Sequence, residues 1–189
     1  MPAAAPTRVN AAAAATAAPT TGASRATGPV LVAATAAMGL ISGLLFAFDV
    51  AVMPGLAAGD DRTYVTAMQN INTAITNPVF GTVFLGALVV PAVGTWLLRR
   101  SGQSAAALWT AVATLLYTAA VVVTAVVNVP LNDRLAQAGD PAGGMDTTAA
   151  RAAFDSVWTT ANIGRTLLCT AAVVALSRAL LLHRRPASR

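Results

Sequence analysis

The chain has 189 residues, 56% of them hydrophobic and 10% charged, with twelve basic groups, seven acidic groups and a net charge of +5. Soluble domains carry roughly 25% charged residues, so this composition excludes an ordinary soluble fold and requires a surface that mostly faces lipid. All twelve basic residues are Arg; they flank apolar runs instead of forming a patch, which argues against a nucleic-acid partner and for contact with anionic lipid.

Residues 1–28 are rich in Ala, Thr and Pro without an apolar period, and such composition predicts a disordered tail. The run from Val30 to Phe48 is longer than a signal-peptide core and follows a long polar tail, which favours a membrane span over a cleaved leader. This first span is expected over about residues 29–49, ending at Asp49 with Pro54 beyond it.

Asp60 or Asp61 can then cap a short helix whose Tyr64, Val65, Met68, Ile71 and Ile75 follow helical spacing. Its polar remainder suits a helix on the bilayer surface or across the end of a bundle. Asn77-Pro78 marks a break, with Pro in the first turn of a second span over about residues 79–98. After the turn at Arg99-Arg100-Ser101-Gly102, a third span covers about residues 105–127 and stops at Asn128-Val129-Pro130-Leu131-Asn132. A loop containing Gly139, Pro141, Gly143 and Gly144 follows. From Asp146 a helical pattern resumes and leads into a fourth span over about residues 157–181, and residues 183–189 form a basic tail.

The fold class is therefore all-α, an integral membrane four-helix bundle whose membrane domain covers residues 29–182. Met53-Pro54 and Val129-Pro130 occupy matching places in the two halves, as a tandem pair of helix hairpins would have them. Arg8, Arg25, Arg99, Arg100, Arg178, Arg184, Arg185 and Arg189 lie at one side without acids, while all seven Asp lie at the other. Arg excess marks cytoplasmic loops, so the protein is expected as a multi-pass protein of the cell membrane with both termini cytoplasmic. The lone Cys169 has no internal disulfide partner, and the lone His183 sits among Arg residues. No His/Cys metal site can be assembled from them.

The fourth span is the costly one. Between Arg165 and Arg178 only twelve residues are free of charge, about 18 Å of helix against the roughly 30 Å of the hydrocarbon core. Arg178 can snorkel to the near surface, whereas Arg165 needs a partner or a polar cavity. Asp155, Trp158, Asn162, Arg165 and Cys169 share a face of this span; Thr110, Thr114, Tyr117, Thr124 and Asn128 share one on the third. Up-and-down topology then brings Asp49, Asn70, Asn72, Asn77, Asn128, Asn132, Trp158, Asn162 and Arg165 to one mouth of the bundle. Plainer readings stand beside this: Thr hydroxyls bonding the preceding turn, Asn and Asp as caps, Trp158 as an interfacial anchor, and Arg165 in a buried ion pair with Asp49. Gly39 and Gly43 read as close-packing positions, and a face of small residues permits a homo-oligomer.

Pro54-Gly55-Leu56, Met68-Gln69-Asn70-Ile71-Asn72 with Asn77-Pro78, Asn128-Val129-Pro130-Leu131-Asn132, and Trp158 with Asn162 and Arg165-Thr166 together resemble the anthrone oxygenase-like family of small four-span membrane proteins. The resemblance covers roughly residues 30–180 and implies a cofactor-independent oxygenase acting on a lipophilic polycyclic aromatic. In that reading Asp49 is the base, Arg165 stabilises the anion or superoxide, and Asn128 and Asn162 orient the ring oxygens. Trp158 or Tyr117 stacks on the polycycle, and Asn72 and Asn132 complete the binding site. A shared fold need not share an activity, so a non-enzymatic protein that binds lipid or a small ligand, or a small transporter component, is the alternative.

Overall fold

A computed structural model describes the backbone of residues 21–183 and the side chains of residues 26–183; the outer parts of both expected tails, 1–20 and 184–189, lie outside the described residues. Seven α-helices follow in chain order: α1 (Thr21–Ala47), α2 (Met53–Ala57), α3 (Asp61–Ile75), α4 (Pro78–Arg100), α5 (Ser104–Val123), α6 (Val129–Gln137) and α7 (Thr147–His183). Among the described residues four stretches are long and apolar enough to cross a membrane: Ala26–Ala57, Pro78–Arg100, Ser104–Gln137 and Thr147–His183. They close into a ring in the order α1, α4, α5, α7, each packed on its antiparallel neighbours, and α3 lies across one end.

The span boundaries differ from expectation at three places. Helix α1 begins at Thr21, so the tail predicted through residue 28 is helical in its last part, where Thr27 is fully buried and Gly28 lies beside His183. The expected ends at Asp49 and Asn128 are not breaks either. Each span passes through one π-helical segment, Phe48–Val52 or Thr124–Asn128, and continues as α2 or α6. The amide of Met53 donates to Phe48 O, and that of Val129 to Thr124 O, five residues back instead of four. A proline follows each at once, Pro54 and Pro130. Proline has no N–H, and its ring clashes with the carbonyl four residues earlier; widening the preceding turn lets the helix go on.

The mid-bundle core is built from small residues: Ala34, Ala87, Ala113, Ala120, Ala172 and Ala175 are buried around Met38, Ile41, Tyr117 and Leu176. Close approach rests on these alanines. Gly39 and Gly43, expected at the helix contact, instead have nothing within 4 Å of an added Cβ and are exposed. The core stripe of α1 is Leu31, Ala34, Met38 and Ile41, which turns Gly39 and Gly43 toward the bilayer. The plain reading of the Thr residues holds for most of them: Thr35, Thr82, Thr95, Thr110, Thr114, Thr118 and Thr124 each donate to the carbonyl four residues before. In lipid, that satisfies a hydroxyl that has no water.

Helix α3 is capped by Asp60, whose carboxylate accepts from Thr63 N at 2.7 Å. It buries Tyr64, Val65 and Met68 against Phe48, Met53, Leu135, Phe154 and Trp158. Its N-terminal half is clamped to α7. Arg151 donates to Asp61 at 2.9 Å and to the carbonyls of Ala57 and Gly59 at 3.1 and 3.2 Å, and Thr148 donates to the second Asp61 oxygen at 2.6 Å. The Tyr64 hydroxyl donates to Asp155 at 3.0 Å. Burial, and then this bond, raise the Tyr64 phenol above its ordinary range, so it remains a donor.

Hydrogen bonds from Thr148 and then Arg151 hold the Asp61 carboxyl below its usual range. A depressed folded-state value means that the clamp is at full strength above the unfolded value of 3.8 and is lost as pH falls through the lower folded one. Hydrogen exchange of the α3 amides, corrected for intrinsic rate, should therefore be flat above the carboxylate range and accelerate on acidification through it. Arg151→Ala should raise exchange at neutral pH and flatten the acid step. An undiminished acid step in that variant would show that the clamp is elsewhere.

Candidate ligand cavity

Between α3 and the four spans lies a cavity of about 930 Å³, within the size range of small-molecule sites. Its deep wall is apolar or aromatic, with Ile41, Leu45, Phe48, Phe80, Phe84, Tyr117, Ala120 and Cys169; its α3 end carries Gln69, Asn70, Asn72, Asn128, Asn132 and Asp133. Trp158, Asn162 and Arg165 line it from α7. The helical period of α7 puts Phe154, Trp158, Asn162, Arg165 and Cys169 on its buried side, and the π-turn in the third span brings Asn128 to face them.

Arg165 is 7% exposed, a charge taken almost wholly out of solvent. One Nη donates to Asn162 Oδ1 at 2.6 Å and the other to Thr124 Oγ1 at 3.2 Å, and the guanidinium lies 5.6 Å from the centre of the Trp158 ring. The direct ion pair expected with Asp49 is absent among the described residues. The Asn162 amide stands between the two charges, donating to Asp49 Oδ1 at 2.5 Å and to Leu45 O at 3.0 Å. Thr166 donates to the other Asp49 oxygen at 2.5 Å. Both carboxylate oxygens are thus engaged, and Asp49 is not among the cavity walls. As residue 49 lies inside the π-turn, it turns toward α7 while its neighbour Phe48 faces the cavity. Asp49 therefore supplies counter-charge to Arg165 through Asn162 and does not present a free base to the cavity.

Trp158 is buried, not an interfacial anchor. Its indole N–H donates to Asn132 Oδ1 at 2.8 Å, and its ring stacks on Phe154 at 5.8 Å and lies 5.6 Å from Phe48. Tyr117 donates to Phe84 O at 2.9 Å and meets the Phe84 ring edge-on at 5.8 Å, so its ring is a fixed wall. Gln69 ties the roof to α6 through Leu135 O and to the loop after it through Gly139 O, at 2.8 and 3.1 Å. Asn77 has the plain role: it caps α4 through Phe80 N at 3.0 Å and bonds Ala74 O at 2.9 Å.

Among the described residues, three buried side-chain polar atoms have no partner: Asn72 Nδ2, Asn128 Oδ1 and Arg165 Nε. The Asn128 amide nitrogen faces Trp158 O at 3.4 Å, which leaves its oxygen as the unmatched end. All three atoms belong to side chains lining the cavity. Orphaned buried groups are rare, because each costs roughly 1–3 kcal/mol, and here two donors and one acceptor belong to walls of one space.

Sequence reasoning missed Gln69, Phe80, Phe84 and Asp133 as walls, and it missed Thr124 as an acceptor for Arg165. Gln69 and Asp133 each adjoin residues already singled out, Asn70 and Asn132, and that adjacency was the available signal. Among the lining residues Asp133 is the one carboxylate, exposed at the rim.

A family model described as anthrone oxygenase matches residues 74–175, more than half of the chain, covering α4 through most of α7. No curated protein and no solved structure matches.

Proposed function

The chain belongs to the anthrone oxygenase family, and from that premise we propose that it binds a planar, lipophilic phenolic ketone inside the bundle and oxygenates it without a cofactor. The observation that carries this reading is the set of orphaned atoms, Asn72 Nδ2, Asn128 Oδ1 and Arg165 Nε, on walls of one largely apolar cavity. A ring system bearing a ketone or phenolate oxygen beside a hydroxyl offers acceptors to the two donors and a donor to the one acceptor. Phe84, Tyr117 and Trp158 provide aromatic walls for such a polycycle.

The chemistry follows from the ligand's acidity. Loss of a methylene proton gives a delocalised phenolate, and Arg165 with Asn72 stabilises its oxygen in a site shielded from water. That anion gives one electron to dioxygen, the resulting radical and superoxide join through a new C–O bond, and protonation yields a hydroperoxide. Loss of the remaining C–H proton with cleavage of O–O releases water and leaves a carbonyl. In sum, CH₂ and O₂ become C=O and H₂O. Asp133 is the base in this scheme, because it lines the cavity whereas Asp49 is occupied by Asn162 and Thr166. Arg99, Arg100 and Arg178 lie at the end opposite α3 and the aspartates, so the positive-inside rule puts both termini in the cytoplasm and the cavity at the outer side.

Oxygen uptake by the detergent-purified protein with a model anthrone tests the proposal. Uptake should exceed the spontaneous rate and resist chelators. It should fall about 10²–10³-fold in Arg165→Ala and about 10²-fold in Asp133→Asn, each variant eluting like the parent. Uptake no faster than in buffer would overturn the chemistry and leave a ligand-binding protein.

A further inference from the structure

A second groove, of about 370 Å³, opens on the outside of the bundle between α1 and α4, beneath the C-terminal end of α3. Leu40 and Val79 on its walls are 64% and 75% exposed, on a surface that faces hydrocarbon if these helices span a bilayer. Four of its walls, Ile41, Leu44, Ile75 and Phe80, also line the main cavity. One layer of apolar side chains therefore separates the cavity from lipid.

The two sides of the roof are held differently. Toward α6 and α7, α3 is fastened by Gln69, Tyr64 and the Asp61–Arg151 ion pair. Toward α1 and α4, no hydrogen bond among the described residues joins α3 beyond the Asn77 cap. The fastened side carries Gln69, Asn132 and Asp133 at the rim, whereas Asn77 is the sole polar residue on the groove and is occupied as a cap. Bringing a polycyclic ligand past the polar rim exposes its apolar surface to water, at a cost that grows with the area exposed; the groove imposes no such penalty.

Building on the functional reading above, we infer that this groove is a lateral portal, through which the lipophilic ring ligand passes between the bilayer and the cavity as Phe80, Ile41 and Leu44 swing aside. The occupant is that ligand, because the groove and the cavity share their walls.

Trp96 and Trp109 are 51% and 39% exposed, whereas Trp158 is 4% exposed, so a Trp96→Phe/Trp109→Phe background isolates Trp158 as a reporter on the cavity. Proteoliposomes are mixed with vesicles carrying 1,8-dihydroxyanthraquinone, a non-reacting probe, and quenching is followed in time. Filling the groove with Leu40→Phe/Val79→Phe, which alters no cavity wall, should slow association and dissociation alike by about tenfold and leave Kd unchanged. Leu40→Ala should speed both, and Leu85→Phe, on an exposed part of α4 outside the groove, should change neither. Parent-like rates in the filled variant would overturn the portal while leaving the cavity reading intact. A parent protein that is not quenched at all would overturn the cavity reading and the portal with it. Quenching by a phospholipid brominated on its acyl chain, undiminished by the anthraquinone, would show a resident lipid chain and overturn the assignment of the occupant.

Discussion

Asp49→Leu should destabilise the bundle by about 3 kcal/mol, the lower end of what breaking a buried charge pair costs. The substitution leaves the Asn162 amide short of one of its two acceptors, frees the Thr166 hydroxyl from Oδ2, and strands the Arg165 guanidinium without counter-charge. The double variant Asp49→Leu/Arg165→Met should recover most of that loss, because replacing a buried pair by apolar groups of similar volume is close to neutral. Reversible unfolding in mixed micelles measures all corners of the cycle. Additive losses would mean that the two charges do not communicate through Asn162. On the proposed function the double variant should fold yet show no anthrone-dependent oxygen uptake, whereas uptake at the parent rate would remove the Arg165 charge from the proposed chemistry.

Much of this arrangement was legible in the sequence because it rests on helical period and span length. Arg165 announces itself as a charge too far inside the fourth span, and the spacing of Trp158, Asn162, Arg165 and Cys169 fixes a shared buried face without any structure. A cap at Asp60 or Asp61 and the Tyr64, Val65, Met68 stripe likewise point to α3 and its buried side, and the structure puts the cap at Asp60. What escaped depends on departures from the regular period. A proline reads as a stop, yet Pro54 and Pro130 are accommodated by π-turns, and an inserted residue rotates everything within that turn off the expected face. Asp49 therefore has an azimuth that the period of α1 does not give, and its turn toward α7 changes its part from base to counter-charge. Gly39 and Gly43 misled for a related reason. Glycine spacing permits close approach but does not say which face is used, and the core stripe of Met38 and Ile41 sends both outward.

The matching π-turns also bear on how the site is built. Each half of the chain sends a span through a widened turn at the same end of the bundle, and these turns deliver polar side chains toward α7, chief among them Asp49 from the first half and Asn128, in the same turn as Thr124, from the second. One is fully bonded and buttresses Arg165 through Asn162. The other keeps an unmatched oxygen on a cavity residue. Similar local geometry thus yields one supporting group and one group with an unmatched acceptor on a cavity wall.

That division makes Asn128→Leu the most discriminating substitution. Leucine has nearly the shape of asparagine, the amide it replaces makes only a 3.4 Å bond to Trp158 O, and the orphaned Oδ1 disappears with it. Removing a buried unsatisfied acceptor should stabilise the folded protein by about 1 kcal/mol, the lower end of the usual penalty. Turnover of a model anthrone should fall about 10²-fold or more, since the ligand hydroxyl then meets a methyl group in place of an acceptor. Thermal unfolding and oxygen uptake on the same preparation read the two effects together. Asn128→Asp, which keeps an acceptor oxygen, should retain more activity than Asn128→Leu. A variant that is both less stable and less active would make Asn128 a structural residue; one that is more stable and fully active would remove it from the ligand site. The expected outcome, stability gained and function lost, identifies a group whose partner is the ligand and not the protein.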